Sequence, residues 1–234
     1  MVAKEPDTVA VILARGGSKG IPRKNVIQFA GRPLITWTIS QVLEAGISRI
    51  YVSTDDEEIG RIAETAGAKI VARPTELAGD LASGDQAVIH VVDSLNLLPE
   101  TIVVIPQITS PLRLPEHITE TVSLVASGKA DSVFTANRVD DICVWELTDS
   151  PKSVTYDYQN RGMRQERPTT VVENGSVYCT TAGAIRSSGN RLSGRIQASF
   201  MPKWTMPEID EPEDVWLCEV LMRAYVINEK GVQL

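Results

Sequence analysis

Histidine is nearly absent from this 234-residue chain, which has only His90 and His117. The first falls inside a predicted helix and the second at a helix start, and neither has an obvious acidic partner. The sequence therefore offers little to a mechanism built on a histidine-activated covalent nucleophile. Cysteine is scarce too. Cys143, Cys179 and Cys218 are odd in number, far apart and never in C-x-x-C spacing, so a disulfide framework or thiolate metal site is excluded and they read as core thiols. No apolar run approaches the ~20 residues that a bilayer span requires. The amino-terminal Met1-Val2-Ala3-Lys4-Glu5-Pro6-Asp7 also lacks the apolar centre of a signal peptide, so the expectation is a cytoplasmic protein without a membrane partner. Positive charge is in deficit as well. Lys and Arg number 23 against 30 Asp and Glu, and a net charge of −7 argues against nucleic acid or an anionic membrane surface as partner. Any anionic ligand must then be met by a local basic cluster. Also missing are an internal repeat, a low-complexity tract, and both common nucleotide fingerprints, G-x-G-x-x-G and G-x-x-x-x-G-K-[ST].

What is present is a core-forming chain, 43% hydrophobic, whose length fits one α/β domain over residues 1–234. It is organised around Val9-Ala10-Val11-Ile12-Leu13, an apolar run that predicts a strand buried on both faces. The run opens into Ala14-Arg15-Gly16-Gly17-Ser18-Lys19-Gly20-Ile21-Pro22-Arg23-Lys24-Asn25. Three glycines let backbone N–H groups approach anionic oxygens, while Arg15, Lys19, Arg23 and Lys24 bring the charge that a triphosphate requires. A glycine-lysine loop by itself is equally a solvated turn.

Downstream, the pattern predicts a helix from Pro33 to Ala45 stopping at Gly46, a strand over Ile50 to Ser53, a helix from Glu57 to Ala66 and a strand over Ala68 to Val71. This βαβαβ alternation implies a parallel sheet with right-handed crossovers. Ser83 with Gln86 three residues on is a capping-box signature for a helix running to Leu95. Further strands are expected at Thr101 to Ile105, Ser132 to Ala136 and Gly175 to Thr180. Helices are expected from Glu116 to Ser127 and from Pro212 to Val226, the last packing Val215, Trp216, Val220, Leu221 and Tyr225 as core. Over 138–172 the periodicity collapses, as in an inserted hairpin, lid or interface arm. Its apolar Val139, Ile142, Val144, Trp145 and Leu147 need a partner, and a second copy of the chain is the commonest one. In an open parallel sheet, ligands bind beyond the carboxyl ends of the strands, so the loops after Leu13, Ser53, Ile105 and Ala136 should line one cleft. The Asp55-Asp56 pair in the second of these loops reads most simply as a turn and helix start.

The pattern A-R-x-x-S-K-G-x-P-x-K-N after a buried strand resembles the amino-terminal signature of the acylneuraminate cytidylyltransferase family, within the wider sugar nucleotidyltransferases. Pro106-Gln107-Ile108-Thr109-Ser110-Pro111-Leu112-Arg113 is similar to that family's L-x-Q-P-T-S-P-L-R element, with Ile108 in place of proline. Arg164-Gln165-Glu166-Arg167-Pro168 and Glu173-Asn174-Gly175-Ser176-Val177-Tyr178 resemble a further pair of elements, and Met201-Pro202-Lys203 another. The likeness runs from about residue 8 to residue 220. It implies a three-layer, mostly parallel open α/β sheet of the Rossmann-like nucleotidyltransferase kind, with a dimerisation arm at 138–172 that completes the neighbouring sugar-acid pocket of a homodimer.

On that resemblance Arg15 and Lys19 carry the chemical step, and Ala14, Gly16, Ser18, Lys24 and Asn25 bind the nucleotide. Arg73 and Ser83 sit near the base, while Gln107, Thr109, Ser110, Arg164, Gln165 and Tyr178 meet a sugar acid. An arginine fork with a carbonyl or hydroxyl suits the acceptor edge and exocyclic amine of cytosine, although Arg73 could equally be a surface ion-pair residue. In Pro207-Glu208-Ile209-Asp210 an extended backbone turns Glu208 and Asp210 to one face, where two carboxylates suit Mg²⁺ or Mn²⁺ held jointly with phosphates. The family has D-I-D here, so Glu208 departs by one methylene. Glu211, Glu213 and Asp214 belong instead to the start of the last helix. The implied activity is transfer of CMP from CTP to a sialic-acid-like sugar acid with release of pyrophosphate. A 3-deoxy-octulosonate or phosphonate acceptor, or a non-catalytic nucleotide-binding module, is the alternative.

Overall fold

The computed structural model describes residues 7–18, 20–79, 82–139, 142–163 and 169–228. Strands β1 (Thr8–Leu13), β4 (Ile50–Thr54), β5 (Lys69–Ala72), β6 (Ile102–Pro106), β7 (Ser132–Arg138), β10 (Val171–Thr181) and β11 (Ile196–Phe200) form one sheet in the order β11-β7-β10-β6-β1-β4-β5. Two short pairs stand outside it: β2 (Gln28–Phe29) with β3 (Arg32–Pro33), and β8 (Trp145–Glu146) with β9 (Lys152–Ser153). All neighbours in the large sheet are parallel except β10, which runs antiparallel to both β6 and β7. The amino-terminal end of β10 therefore meets the carboxyl ends of the other strands at one edge.

Alternation along β1 divides the core into two layers. Ala10 and Ile12 pack with α1 (Leu34–Glu44), α2 (Glu57–Thr65), α4 (Pro115–Ala126) and α6 (Pro212–Leu221). Val9 and Val11 pack on the opposite face with α3 (Gly84–Ser94) and α5 (Ala182–Ser188). Val9, Ala10, Val11 and Ile12 are all fully buried. Each of the larger three contributes about 1.5–3 kcal/mol, enough to make this strand the axis of a three-layer sandwich.

The helix starts follow local chemistry. Asp56 is the N-cap of α2, its carboxylate accepting from the amides of Glu58 and Ile59 at 2.9 Å each. Ser83 caps α3, but its hydroxyl accepts from the Asp85 amide at 3.2 Å and Gln86 does not complete the expected box. At the start of α4 the buried His117 accepts from the Leu114 amide through Nδ1, and burial lowers the imidazole's pKa. That histidine serves as a helix cap.

Two expectations need correction. The last helix does not bury Trp216 or Tyr225, which are 71% and 40% exposed; Cys218 and Met222 face the core instead. A five-residue π turn over Met222–Val226 shifts the helix face. In the irregular segment, Val139 is buried against its own domain, whereas Ile142, Val144, Trp145 and Leu147 are exposed. Helix α5 and strand β11 were not expected at all. Cys179 and Cys218 are buried, and Cys143 is partly exposed.

Candidate active site

Two cavities open along the edge where the strand ends meet. The first, about 630 Å³, is lined by residues of the loop after β1 (Arg15, Ser18, Gly20, Lys24, Asn25), by Arg73 and the 77–84 segment, and by Thr109, Asp210 and Glu211. The second, about 500 Å³, is lined by Gln107, Glu173, Asn174, Gly175, Tyr178 and Glu208 among others. The partition between them is built from two short strips, 107–109 and 208–210. Gln107 and Glu208 belong to the second cavity, and Thr109 and Asp210 to the first. The Ile209 amide donates to the Thr109 carbonyl at 2.7 Å and fastens the strips together.

The glycine-rich loop is shaped by contacts that only part of the sequence reading anticipated. Asn25 donates from Nδ2 to the Arg15 carbonyl at 2.9 Å, so it braces the loop as well as lining the cavity. Arg15 reaches across the opening and donates from Nη1 to the Gly79 carbonyl at 3.2 Å. Gly20 is required by close approach, since a Cβ there would lie 2.3 Å from the Asp210 carbonyl oxygen. Lys24 is buried; its ammonium donates to the Ile209 carbonyl at 3.0 Å and pairs with the Asp210 carboxylate at 2.8 Å.

Arg23 is the member of the basic cluster that the structure removes from the cavity. Its backbone is left-handed, and its guanidinium pairs with Asp56 and Glu58 at the start of α2, lowering the pKa of the Asp56 carboxyl. Ala14 is fully buried and its amide continues the sheet ladder to the Ser53 carbonyl. The Gly16 amide donates to Asp55 Oδ1 at 2.9 Å. Neither Ala14 nor Gly16 lines the cavity. Of the acidic pair after β4, Asp56 is the helix start anticipated, while Asp55 holds the glycine-rich loop, a role with no local sequence signal. Lys19, Arg164 and Gln165 lie outside the described residues.

Arg73 is no surface residue. It is 8% exposed, donating from Nε to the Ser53 hydroxyl at 3.1 Å and from Nη2 to the Ser53 carbonyl at 2.8 Å, and burial lowers its pKa. Ser83 stands across the same cavity.

Ser110, expected to meet the ligand, lines neither cavity: it is 1% exposed and donates to Glu208 of the second cavity at 3.4 Å. Tyr178 donates its phenol proton to Glu173, and burial followed by that bond raises the phenol's pKa. The β10 register slips between Glu173 and Tyr178, and Gly175, with φ +66°, occupies the irregularity facing Glu208 and Ser110. Arg113 is fully buried beneath the partition. It donates to Gln41 Oε1 at 2.8 Å, the Ser176 carbonyl at 2.5 Å, Thr38 Oγ1 at 2.9 Å and the Gln107 carbonyl at 2.6 Å. With no carboxylate beside it, burial pushes its pKa down to about 9.

Glu208 and Asp210 line opposite sides of the partition but lie close enough for their charges to interact. Burial and then the charge of Asp210 raise the Glu208 carboxyl above its ordinary pKa. Asp214 accepts from the amides of Asp210 and Glu211, at 3.0 and 2.7 Å, so it belongs to the helix start as expected. Among the described residues no set of three or more His, Cys, Asp or Glu converges as a metal site. Two adjoining carboxylates fit Mg²⁺, which commonly takes one or two carboxylates and completes its shell with substrate phosphates and water.

An open α/β sheet with a glycine-rich basic loop at its carboxyl edge, facing a buried arginine across a nucleotide-sized cavity, defines a nucleotide-binding class of protein. The comparisons narrow that class. A family model described as cytidylyltransferase matches residues 9–176, and the chain belongs to that family. N-acylneuraminate cytidylyltransferase B of Danio rerio is 36% identical over 229 residues, covering 95% of this chain and 53% of that protein. N-acylneuraminate cytidylyltransferase of Streptococcus agalactiae serotype III (strain NEM316) is 29% identical, over 95% of this chain and 55% of its own. The chain spans about half the length of the curated relatives it matches. Among solved structures, a CMP:2-keto-3-deoxy-manno-octonic acid synthetase complexed with CTP superposes with a TM-score of 0.69 at 16% identity, over 94% of this chain and 100% of that one. A 4-diphosphocytidyl-2C-methyl-D-erythritol synthase from Anaerococcus prevotii DSM 20548 gives 0.65 at 14% identity, over 93% and 99%. These two likenesses confirm the mostly parallel nucleotidyltransferase fold. Among the described residues no helix is long and apolar enough to cross a membrane.

Proposed function

We propose that this protein transfers CMP from CTP to the anomeric hydroxyl of a sialic-acid-like, nonulosonic sugar acid and releases pyrophosphate. The observation that carries the reading is the shared partition: two cavities, one nucleotide-sized, meet across Thr109, Glu208 and Asp210. A reaction between two bound substrates needs that juxtaposition, and in-line attack on the α-phosphorus asks the protein mainly for positioning and charge neutralisation. Arg15 and Lys19 supply cations to the triphosphate, and Lys24, Asn25 and Ser18 shape its loop. Arg73 and Ser83 face the cytosine. Gln107, Tyr178, Arg164 and Gln165 hold the acid. Asp210, with Glu208, would hold Mg²⁺ or Mn²⁺, which when bound offsets the negative charge developing on the phosphates.

The test is pyrophosphate release from CTP, ATP, GTP and UTP over a panel of nonulosonic acids, a 3-deoxy-octulosonate and phosphonates, with and without chelator. CTP with a nonulosonic acid and a divalent ion should be the productive combination. Asp210→Asn should raise the metal concentration needed for half-maximal rate; an unchanged metal dependence would mean that the acidic strip serves only α6.

The acceptor cavity belongs, in this reading, to a homodimer. The hairpin of β8 and β9 presents Ile142, Val144, Trp145, Leu147 (90% exposed) and Val154 to solvent, an apolar surface suited to a second copy. Trp145 packs against Tyr156 and Tyr158, so Trp145→Asp alters the hairpin itself, whereas Leu147→Asp touches only its outer surface. Both variants should sediment as monomers and weaken acid binding while CTP affinity holds. A monomeric wild type, or CTP lost first, contradicts the arrangement.

A further inference from the structure

We propose that Arg191 is a positioning residue that locks the acceptor cavity to the nucleotide cavity through the ring of Tyr178; this rests on the transfer reading above. Arg191 lies between α5 and β11, in a stretch whose sequence, Ser188-Gly189-Asn190-Arg191-Leu192, reads as a surface loop. Yet its side chain is only 16% exposed. Nε donates to Asp85 Oδ1 at 2.5 Å, and Asp85 is itself 18% exposed. The same guanidinium stands over the Tyr178 ring, 4.8 Å from its centroid. Its Nη2 packs on Gly84 so closely that a Cβ there would lie 2.8 Å away.

Gly84 lines the nucleotide cavity and Tyr178 the acceptor cavity. One flat cation thus touches a wall of each. Asp85, in the first turn of α3, favours both the helix start and the arginine, which fixes the guanidinium plane. The glycine at the first position of α3 has a physical reason as well, since it leaves the space through which the arginine passes. A shift at the start of α3, where the base-facing segment ends, carries the guanidinium with it and tilts the tyrosine ring. Lysine could keep the ion pair but not the planar stacking.

The decisive measurement is a double-mutant cycle in the full chain with Arg191→Ala, Arg191→Lys and Tyr178→Leu. Arg191→Ala should raise the KM for the sugar acid about tenfold, the change expected when a partly desolvated cation–π contact is lost. The Kd for CTP, titrated alone, should stay within about threefold. Arg191→Lys should recover part of the loss, and in the Tyr178→Leu background Arg191→Ala should have no further effect on that KM. Additive effects, a CTP Kd weakened as much as the acid's KM, or a lysine variant equal to wild type would each overturn the proposal. A wild type that releases no pyrophosphate with any acid would sink the transfer reading instead. The Arg191–Tyr178 contact would then be judged by the same cycle in urea unfolding, where independence of the two sites overturns it.

Discussion

Arg113→Met is expected to destabilise the fold by about 3–5 kcal/mol, the range found when one member of a buried ionic hydrogen-bonded network is removed. Acceptors from three segments converge on this guanidinium: Thr38 and Gln41 of α1, Ser176 of β10, and Gln107 after β6. Methionine fills similar volume but donates nothing, and each buried acceptor left bare costs about 1–3 kcal/mol. Relief from burying the charge works the other way, since the depressed pKa of Arg113 reports a desolvation penalty that methionine avoids. The deficit of donors wins because two of the acceptors are backbone carbonyls held in place by the sheet edge. Urea unfolding checks this directly. A midpoint shift equivalent to less than about 1 kcal/mol would mean that the network repacks or admits water. In variants that still fold, the acceptor cavity should suffer more than the nucleotide cavity, for Gln107 and the Ser176 segment border the former.

Arg15→Ala should leave the unfolding midpoint nearly unchanged, because the side chain is partly exposed, and lower kcat/KM for CTP by about 30- to 1000-fold. That range is the ~2–4 kcal/mol of a charge-assisted contact to a triphosphate at ~1.36 kcal/mol per tenfold. The arginine also closes the cavity by donating to the Gly79 carbonyl, so part of the loss should appear as weaker CTP binding. Lys19→Ala is expected to fall in the same range on the sequence pattern alone. Near-wild-type kinetics in both variants would remove the phosphate role from this loop.

The nucleotide half was the more readable from sequence, because its determinants are local. A five-residue apolar run, a glycine-rich loop and helices with 3.6-residue periodicity all declare themselves within short windows. Arg23 and Lys24 show where that ends: adjacent cations in one basic cluster, one turned out to Asp56 and Glu58, the other buried on Asp210. Their fates depend on partners 33 to 186 residues away. Strand β10 was readable as a strand but not as antiparallel, since direction is set by the route of the chain and not by composition. Strand β11 alternates over Ile196–Phe200 yet buries little, being at the sheet edge, so its signal is faint. Trp216 illustrates the reverse error. A large aromatic at helical spacing reads as core, but the π turn after α6 hands the inner face to Cys218 and Met222. The burial of Arg113 was not legible, because a buried arginine without a carboxylate leaves no mark in sequence; its partners are hydroxyl, amide and carbonyl groups that every protein has in plenty.

The irregular segment leaves the sheet at Arg138 and returns at Val171, and these two residues face each other as partners in the β7–β10 ladder. An excursion that begins and ends on adjacent rungs constrains nothing beyond itself, and doubling its length adds only about 0.6 kcal/mol of closure entropy. The arm is therefore a module in the evolutionary sense. It can lengthen, shorten or exchange its surface without disturbing the loops of the first cavity, which hang from β1 and β5 on the other side of the sheet. Divergence in acceptor or in oligomeric partner can be written into this one cassette while the chemistry of the triphosphate stays fixed.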